Sequence, residues 1–272
     1  MALEQNNSSS GDDALFFKIY RAFLEVDSIN SFTQGRNRYL IKDFYHLYYA
    51  MAMAKKSKEQ EVQTRLKKAK KDLKIRFEDY IYKNGKHRPK IWADDKTRST
   101  YLHIIENPAI SEAFLHFTDA TEQYARWRDK LSNENILAIY MKNLEDRHKY
   151  YTDMSLLQLP NIQANTLKNN KILKQTLIEF HNAISHLVAI YYGREQENNK
   201  NRAINHFKRG ALDSYKAIIK DFYHLYNINR TTYEPPLETL KDIRKKEYLG
   251  IGSDERLFKE YREFTQKLID SI

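Results

Sequence analysis

Hydrophobic residues recur at steps of three and four along most of the chain, which is the spacing of an amphipathic α-helix. The clearest case is the segment 167–192, whose unbroken apolar seam is formed by Leu173, Leu177, Phe180, Ile184, Leu187 and Tyr191. Alternation at every second position, the pattern of a half-buried strand, is not sustained over several segments. Only 7 Gly and 5 Pro occur in 272 residues, so few positions interrupt helices. The sequence therefore predicts an all-α, multi-helix bundle.

The start of the chain and its prolines predict helix boundaries. Residues 1–11 (MALEQNNSSSG) are polar and predict a disordered tail, after which Asp12 or Asp13 is placed to cap a first helix that runs to about Val26. Further along, Pro108 is expected to end one helix, and Ser111 to begin the next.

Two longer breaks in the helical pattern predict the domain organisation. Residues 83–95 (KNGKHRPKIWADD) contain Asn-Gly and Arg-Pro and predict a loop. Residues 158–165 (QLPNIQAN) predict a second break, which divides the chain into unequal parts. We therefore expect two packed helical subdomains, one over residues 12–157 and a C-terminal bundle over 158–272.

The composition excludes several classes of protein. The chain has no cysteine, which excludes a disulfide scaffold, a thiol nucleophile and a thiolate metal site. The first eleven residues lack the basic start and apolar core of a signal peptide, and no apolar run reaches the ~20 residues of a membrane span. We therefore expect a cytoplasmic protein that makes no membrane contact.

Motifs that bind cofactors or metals are absent from the sequence. It contains no Gly-rich phosphate loop, no GxSxG elbow, no HExxH pair and no EF-hand pattern. Glu179 and His181 are two residues apart and do not share a helical face, while His181 and His186, five apart, are poorly spaced for a metal pair. We expect neither a cofactor nor a metal.

The formal net charge of +10 favours anionic partners, nucleic acid above all. A second explanation is compositional, because Lys, Asn, Ile and Tyr are abundant together, as an AT-rich genome would produce without selection for binding. Charge alone does not separate the two explanations.

A basic helix is predicted over residues 58–83. Its apolar side has heptad spacing (Val62, Leu66, Ala69, Leu73 and Tyr80), and its outer side carries a row of lysines, Lys67, Lys68, Lys71 and Lys74. The loop that follows adds two basic residues and an aromatic one, Lys86, Arg88 and Trp92. Such residues can contact phosphates and stack a base, which favours nucleic-acid binding. The alternative is an ordinary solvated helix face.

A polar face is predicted on the helix from Asn201 to about Asn227. Its members follow one another at steps of four, three, four and three: Arg202, His206, Arg209, Asp213 and Lys216. At 3.6 residues per turn they share one narrow side of the helix. One interpretation is a network of ion pairs, in which Asp213 pairs with Arg209 and Lys216. Another is a contact surface, with Arg209 and Lys216 binding an anion.

A third interpretation is a metal-independent ribonuclease. An imidazole exchanges protons near neutral pH, so His206 suits general acid–base chemistry at a 2′-hydroxyl or a leaving oxygen. A guanidinium holds a scissile phosphate and its developing charge, which suits Arg202. The two side chains are neighbours at i, i+4, so both can reach one phosphate.

Residues 167–226, with this Arg-and-His helix, resemble the HEPN superfamily of bacterial and archaeal defence and toxin systems. Three residues separate Arg202 from His206, where that family usually has four to six. The resemblance implies a helical bundle, an endoribonuclease site formed by Arg202 and His206, and an active site completed in a homodimer. It also implies a place in a bacterial antiviral defence assembly.

Three functions follow from these observations. The first is a basic helical subunit that binds nucleic acid, RNA in preference, or a partner protein. The second is the metal-independent endoribonuclease. The third is a structural scaffold whose apolar seams pack on another chain.

One octapeptide, IKDFYHLY, occurs twice, at Ile41–Tyr48 and at Ile219–Tyr226. Either it marks a duplicated helix pair, or it is a core helix whose Phe, Tyr and Leu fill the interior. The flanking residues do not match, and the second interpretation is favoured because Phe, Tyr and Leu are residues that fill cores.

Overall fold

The computed structural model describes residues 7–33, 37–57, 59–84, 107–133, 136, 138, 171–229, 236–250 and 256–272. Within these ranges the elements are eight α-helices and no strand, which confirms the all-α prediction. In chain order they are α1 Asn7–Thr33, α2 Arg38–Lys56, α3 Gln60–Asn84, α4 Pro108–Leu131, α5 Lys174–Tyr191, α6 Gln196–Asn229, α7 Leu237–Gly250 and α8 Arg256–Asp270. No helix of the described ranges is long and apolar enough to cross a membrane.

The first helix is longer than predicted at both ends. It begins at Asn7 rather than at Asp12, inside the segment predicted as a disordered tail, and it continues past Val26 to Thr33. Once a helix is nucleated, each further residue adds a backbone hydrogen bond while only its own two dihedral angles are fixed. Polar residues that flank the helix therefore extend it readily. Residues 1–6 of the predicted tail lie outside the described residues.

The helix predicted to begin at Ser111 begins three residues earlier, whereas the segment before Asn107, which Pro108 is predicted to end, lies outside the described residues. Helix α4 begins at Pro108 and runs through Ser111. Asn107 caps it, because its Oδ1 accepts hydrogen bonds from the backbone N–H groups of Ala109 at 3.1 Å and Ile110 at 3.3 Å. Proline suits the first helical position, where its missing N–H would have no partner within the helix.

The chain divides into two compact units that alternate along the sequence. The first comprises Met1–Phe114 and Leu177–Phe207, and the second comprises Leu115–Thr176 and Lys208–Ile272. Both units draw on α4, α5 and α6. The predicted break at residues 158–165 lies outside the described residues, so the division into 12–157 and 158–272 stays a prediction.

The first unit has an aromatic core. Its buried rings come from α1 to α6: Phe16, Phe17, Tyr20, Phe23, Phe44, Tyr48, Phe77, Phe114, Phe180 and Phe207. Many of them meet edge to face, with centroids 4.6 Å apart for Tyr20 and Phe44 and 4.7 Å for Tyr48 and Phe114. This geometry adds to the burial of apolar area that holds the helices together.

The second unit is built around Trp127, which is fully buried. The indole Nε1–H donates to Oδ2 of Asp221 at 3.2 Å, so the polar atom of this large side chain has a partner. Tyr215 of α6 stacks on Tyr261 of α8, with ring centroids 5.9 Å apart and planes 2° from parallel. These contacts bring α4, α6 and α8 around one interior.

Candidate active site

The polar face predicted from Arg202 to Lys216 lies on one continuous helix, α6. Between its polar members the helix buries Ala203, Phe207 and Ala211 completely. That apolar side fixes which way α6 faces and leaves Arg202 and Arg209 exposed. The two ends of the face belong to different units, with Arg202 and His206 in the first and Lys216 in the second.

His206 forms a short hydrogen bond with a buried carboxylate. Its Nδ1 lies 2.6 Å from Oε2 of Glu179, a residue of α5 that is only 3% exposed. A carboxylate is costly to bury without a partner, and the imidazole supplies one. A carboxylate can only accept here, so Nδ1 carries the hydrogen and Nε2 is left as the reactive nitrogen. The His206 side chain is 20% exposed, so solvent or a ligand can reach it.

A second imidazole stacks on the first. The rings of His186 and His206 have centroids 5.3 Å apart and planes 15° from parallel. Nδ1 of His186 lies 2.8 Å from Oδ1 of Asn199, at the start of α6. Neither Nε2 has a hydrogen-bond partner among the residues that the structure describes, and neither atom is fully enclosed.

Arg202 adds a positive charge to this cluster. It lies one helical turn before His206, it is exposed, and it has no ion-pair partner within the described ranges. Burial lowers the pKa of His186, and the charges of His206 and Arg202 lower it further, against an opposing effect of the Asn199 hydrogen bond. At neutral pH His186 is therefore uncharged and able to accept a proton.

We call Glu179, His186, Asn199, Arg202 and His206 the α5–α6 cluster. It offers two imidazole nitrogens that can exchange protons and one guanidinium that can bind a phosphate. No group of three or more metal-binding side chains occurs in the described part of the chain. Two imidazoles beside a guanidinium suit acid–base chemistry next to an anion.

Of this cluster, the sequence prediction included only Arg202 and His206. The spacing of Glu179 and His186 relative to His181 argues only against a metal site, and Asn199 belongs to no predicted motif. A usable signal was present, since Glu179, Asn182 and His186 follow one another at steps of three and four on a helix that is otherwise largely apolar. These polar residues lie on a different side of α5 from its apolar seam, which indicates that this side contacts polar groups.

Glu179 and His181, which were predicted not to share a helical face, have different partners. Glu179 bonds to His206, whereas Nδ1 of His181 lies 2.9 Å from the hydroxyl of Tyr20 in the aromatic core. His181 is buried and belongs to the packing of the first unit.

The lysine row on α3 is fully presented to solvent. Lys67, Lys68, Lys71 and Lys74 are all exposed, while Leu66, Leu73 and Phe77 are buried on the other side of the helix. Lys74 lies 3.9 Å from Glu78, and the other three have no ion-pair partner among the described residues.

The other residues predicted to bind nucleic acid or an anion lie in different surroundings. Lys86, Arg88 and Trp92 lie outside the described residues. Arg209 is exposed, and the Arg209–Asp213 ion pair stays a prediction. Lys216 forms an ion pair with Glu247 of α7, so its ammonium group is already engaged within the protein.

Comparison with protein-family models, curated proteins and solved structures finds no significant match to this chain. The HEPN-like resemblance of residues 167–226 therefore stays a prediction.

Proposed function

We propose that this chain is a metal-independent endoribonuclease whose active site is the α5–α6 cluster. The observation that carries the proposal is the bond between His206 and buried Glu179, which fixes the imidazole and leaves its Nε2 without a hydrogen-bond partner among the described residues. Histidine held in this way by a carboxylate is the recurring form of a general acid–base in enzymes. Arg202, exposed and one turn away, is suited to hold the phosphate.

The proposed reaction needs no metal and no cofactor. The RNA 2′-oxygen loses its proton and forms a bond to the adjacent phosphorus, while the bond from phosphorus to the 5′-oxygen breaks. The 5′-oxygen leaves with the bonding electron pair and takes up a proton, which gives a 2′,3′-cyclic phosphate and a 5′-hydroxyl. His206 carries out one of the two proton transfers, and Arg202 stabilises the charge on the phosphate oxygens.

The test is cleavage of end-labelled total RNA in EDTA at low salt. We expect cleavage with 2′,3′-cyclic phosphate ends by the wild type, and a rate about 10²–10⁴-fold lower for His206→Ala. The matched control is Arg38→Ala combined with His46→Ala, which removes the same two residue types from exposed positions on α2. No cleavage by folded wild type, or equal cleavage by wild type and an Arg202→Ala/His206→Ala double variant, would contradict the proposal.

A second candidate function is nucleic-acid binding through α3 without cleavage. The observation that favours it is the exposed row of Lys67, Lys68 and Lys71, none of which has an ion-pair partner within the described ranges. Lysines in such a row can replace the counterions of a phosphate backbone, so affinity falls steeply as salt rises.

Changing Lys67, Lys68 and Lys71 together to Glu tests this second function. We expect weaker RNA retention and a salt slope smaller by about 0.7–0.9 per lysine that contacts a phosphate. The control triple, Lys245, Lys259 and Lys267 to Glu, removes the same charge from exposed positions on α7 and α8. Equal losses in both triples indicate a general effect of net charge, and no loss in either favours a scaffold or a protein partner.

A further inference from the structure

The stacked imidazoles of the α5–α6 cluster supply both proton transfers of the proposed reaction. We propose that His186 is the second acid–base residue, its Nε2 taking the proton from the 2′-hydroxyl while His206 gives a proton to the 5′-oxygen. This inference rests on the proposed ribonuclease function. It adds a residue on a different helix, α5, to the Arg202 and His206 pair of α6.

The hydrogen bonds around Asn199 fix the orientation of His186. The Asn199 amide nitrogen donates to the backbone oxygens of Arg194 at 3.1 Å and Glu195 at 3.3 Å. Its Oδ1 is therefore the atom 2.8 Å from Nδ1 of His186, and it can only accept. Nδ1 of His186 must carry the hydrogen, which leaves a lone pair on Nε2, as a general base requires.

The anchor of Asn199 is the tight turn between α5 and α6. Gly193 has φ of +77°, a conformation that glycine adopts without strain, and Glu195 has φ of +26°. The carbonyl groups of this turn are thereby directed toward the first turn of α6, where Asn199 binds them. His186 is held by a chain of contacts from the turn, and His206 is held independently by Glu179.

The groups around His186 and His206 differ, and this difference assigns the general base to His186 and the general acid to His206. Burial, His206 and Arg202 lower the pKa of His186, so its ring is neutral and accepts a proton at neutral pH. His206 has buried Glu179 at Nδ1, so its Nε2 is the nitrogen that gives a proton to the 5′-oxygen. The charged or titratable groups that act on His186 are His206 and Arg202, both on α6.

In the resulting cleavage step the two imidazoles carry both proton transfers, and no further reactant is consumed. Nε2 of His186 gains the 2′-hydroxyl proton as the 2′-oxygen bonds to phosphorus. Nε2 of His206 loses a proton to the 5′-oxygen as the bond from that oxygen to phosphorus breaks. The two imidazoles end in exchanged protonation states, and solvent resets them before the next turnover.

The test uses a DNA oligonucleotide with a single ribonucleotide, prepared with either a 5′-oxygen or a 5′-sulfur leaving group. A thiolate leaves without a proton, so this substrate needs a general base but no general acid. On the oxygen substrate we expect both His186→Gln and His206→Gln to lower kcat by about 10²–10⁴-fold. On the sulfur substrate the defect of His206→Gln should shrink to a few-fold, while the defect of His186→Gln remains.

Two further measurements keep the inference open to contradiction. The control His46→Gln, an exposed imidazole on α2, should leave kcat unchanged. Free imidazole should restore part of the activity of His186→Ala, which a structural role would not allow. If folded His186→Gln cleaves at the wild-type rate, or if the 5′-sulfur substrate restores its activity, His186 is not the general base, although the proposed ribonuclease function still holds. If the wild type itself is inactive, both the ribonuclease function and this inference are wrong.

Discussion

The two ends of the polar face on α6 differ in what their side chains contact. At the first end, Arg202 is exposed and Nε2 of His206 is not bonded to any described residue. At the second end, Lys216 pairs with Glu247, which also accepts a hydrogen bond from the Tyr261 hydroxyl at 2.6 Å. Arg244 completes that second group by pairing with the same carboxylate.

The comparison shows what residue spacing can and cannot establish. All members of the face repeat at steps of three and four, so the sequence alone makes them equivalent. The structure separates them, because at one end the polar atoms remain available and at the other they are bonded within the protein. Substitutions at the first end are therefore expected to change RNA cleavage, and substitutions at the second end to change the free energy of unfolding.

The largest effect that would test this comparison is expected from Glu179→Gln. An amide can donate to Nδ1 of His206 as well as accept from it, so Nδ1 no longer has to carry the hydrogen and Nε2 is no longer held as the nitrogen that exchanges a proton. We expect RNA cleavage to fall about 10²–10⁴-fold, with the fold retained. Initial rates and thermal unfolding, measured on the same samples, check both statements.

The matched control for this change is Glu247→Gln at the other end of the face. It makes the same substitution in a carboxylate that also pairs with a residue of α6, and we expect wild-type cleavage rates. If both variants cleave at the wild-type rate, Glu179 serves packing alone. If both lose activity, the two ends of α6 do not differ in the way that their contacts indicate.

A smaller effect is expected from Lys216→Met. The change removes the ammonium group from Glu247 but keeps the apolar stem, and the side chain is 36% exposed. We expect the free energy of unfolding to fall by about 1 kcal/mol, as for other partly exposed ion pairs, and RNA retention to be unchanged. Urea unfolding and RNA retention at pH 7 give the two values.

Lys220→Met provides the control on the same helix, because Lys220 is exposed and has no ion-pair partner among the described residues. Its unfolding free energy should stay within about 0.5 kcal/mol of the wild type. A Lys216→Met variant that keeps its stability but loses RNA retention would instead support the anion contact that the sequence predicts for this residue.

The helical class and the apolar seams were predictable because their signal is local. Among the seam residues predicted on α5, the structure buries Leu177, Phe180, Ile184, Leu187 and Tyr191. The seam needs only the 3.6-residue period to be recognised, and no knowledge of what it packs against. Helix ends were less predictable, as the N-terminus of α4 at Pro108 illustrates.

The repeated octapeptide IKDFYHLY shows where local information ends. In both copies the first, fourth and seventh positions are buried, so the same letters fill a core in each unit. The aspartates differ: Asp43 forms an ion pair with Arg76 at 3.0 Å, and Asp221 accepts from the indole of Trp127 at 3.2 Å. The partner of a polar side chain depends on which helix lies opposite, which the octapeptide does not contain.

The same reason explains the part of the candidate site that sequence reasoning missed. Arg202 and His206 are four residues apart and could be paired from the period of one helix. Glu179 and His206 are 27 residues apart on two helices, and their bond depends on the packing of α5 against α6. The polar stripe on α5 indicates a second, polar side of that helix, but only the folded structure identifies its partner.

The smallest predicted effect concerns the pH dependence of the second end of α6. Burial acts to raise the pKa of Glu247, but Lys216, Tyr261 and Arg244 outweigh it, and the net pKa lies below the usual 4.5. A carboxyl group whose pKa is lowered by folding stabilises the folded state above its unfolded pKa, and this contribution is lost as the pH falls through the folded pKa. The ionised form of Glu247 therefore contributes to stability at neutral pH and not in strong acid.

Unfolding by urea across this pH range tests the sign. Glu247→Gln should lower the unfolding free energy most at neutral pH, and its difference from the wild type should shrink as the pH falls below about 4.5, because the wild-type carboxyl group then becomes neutral as well. Glu238→Gln, in an exposed pair on the same helix, should change stability by less than about 0.5 kcal/mol throughout. A constant difference for Glu247→Gln at every pH would show that the side chain acts through packing and that its charge is not what holds Lys216 in place.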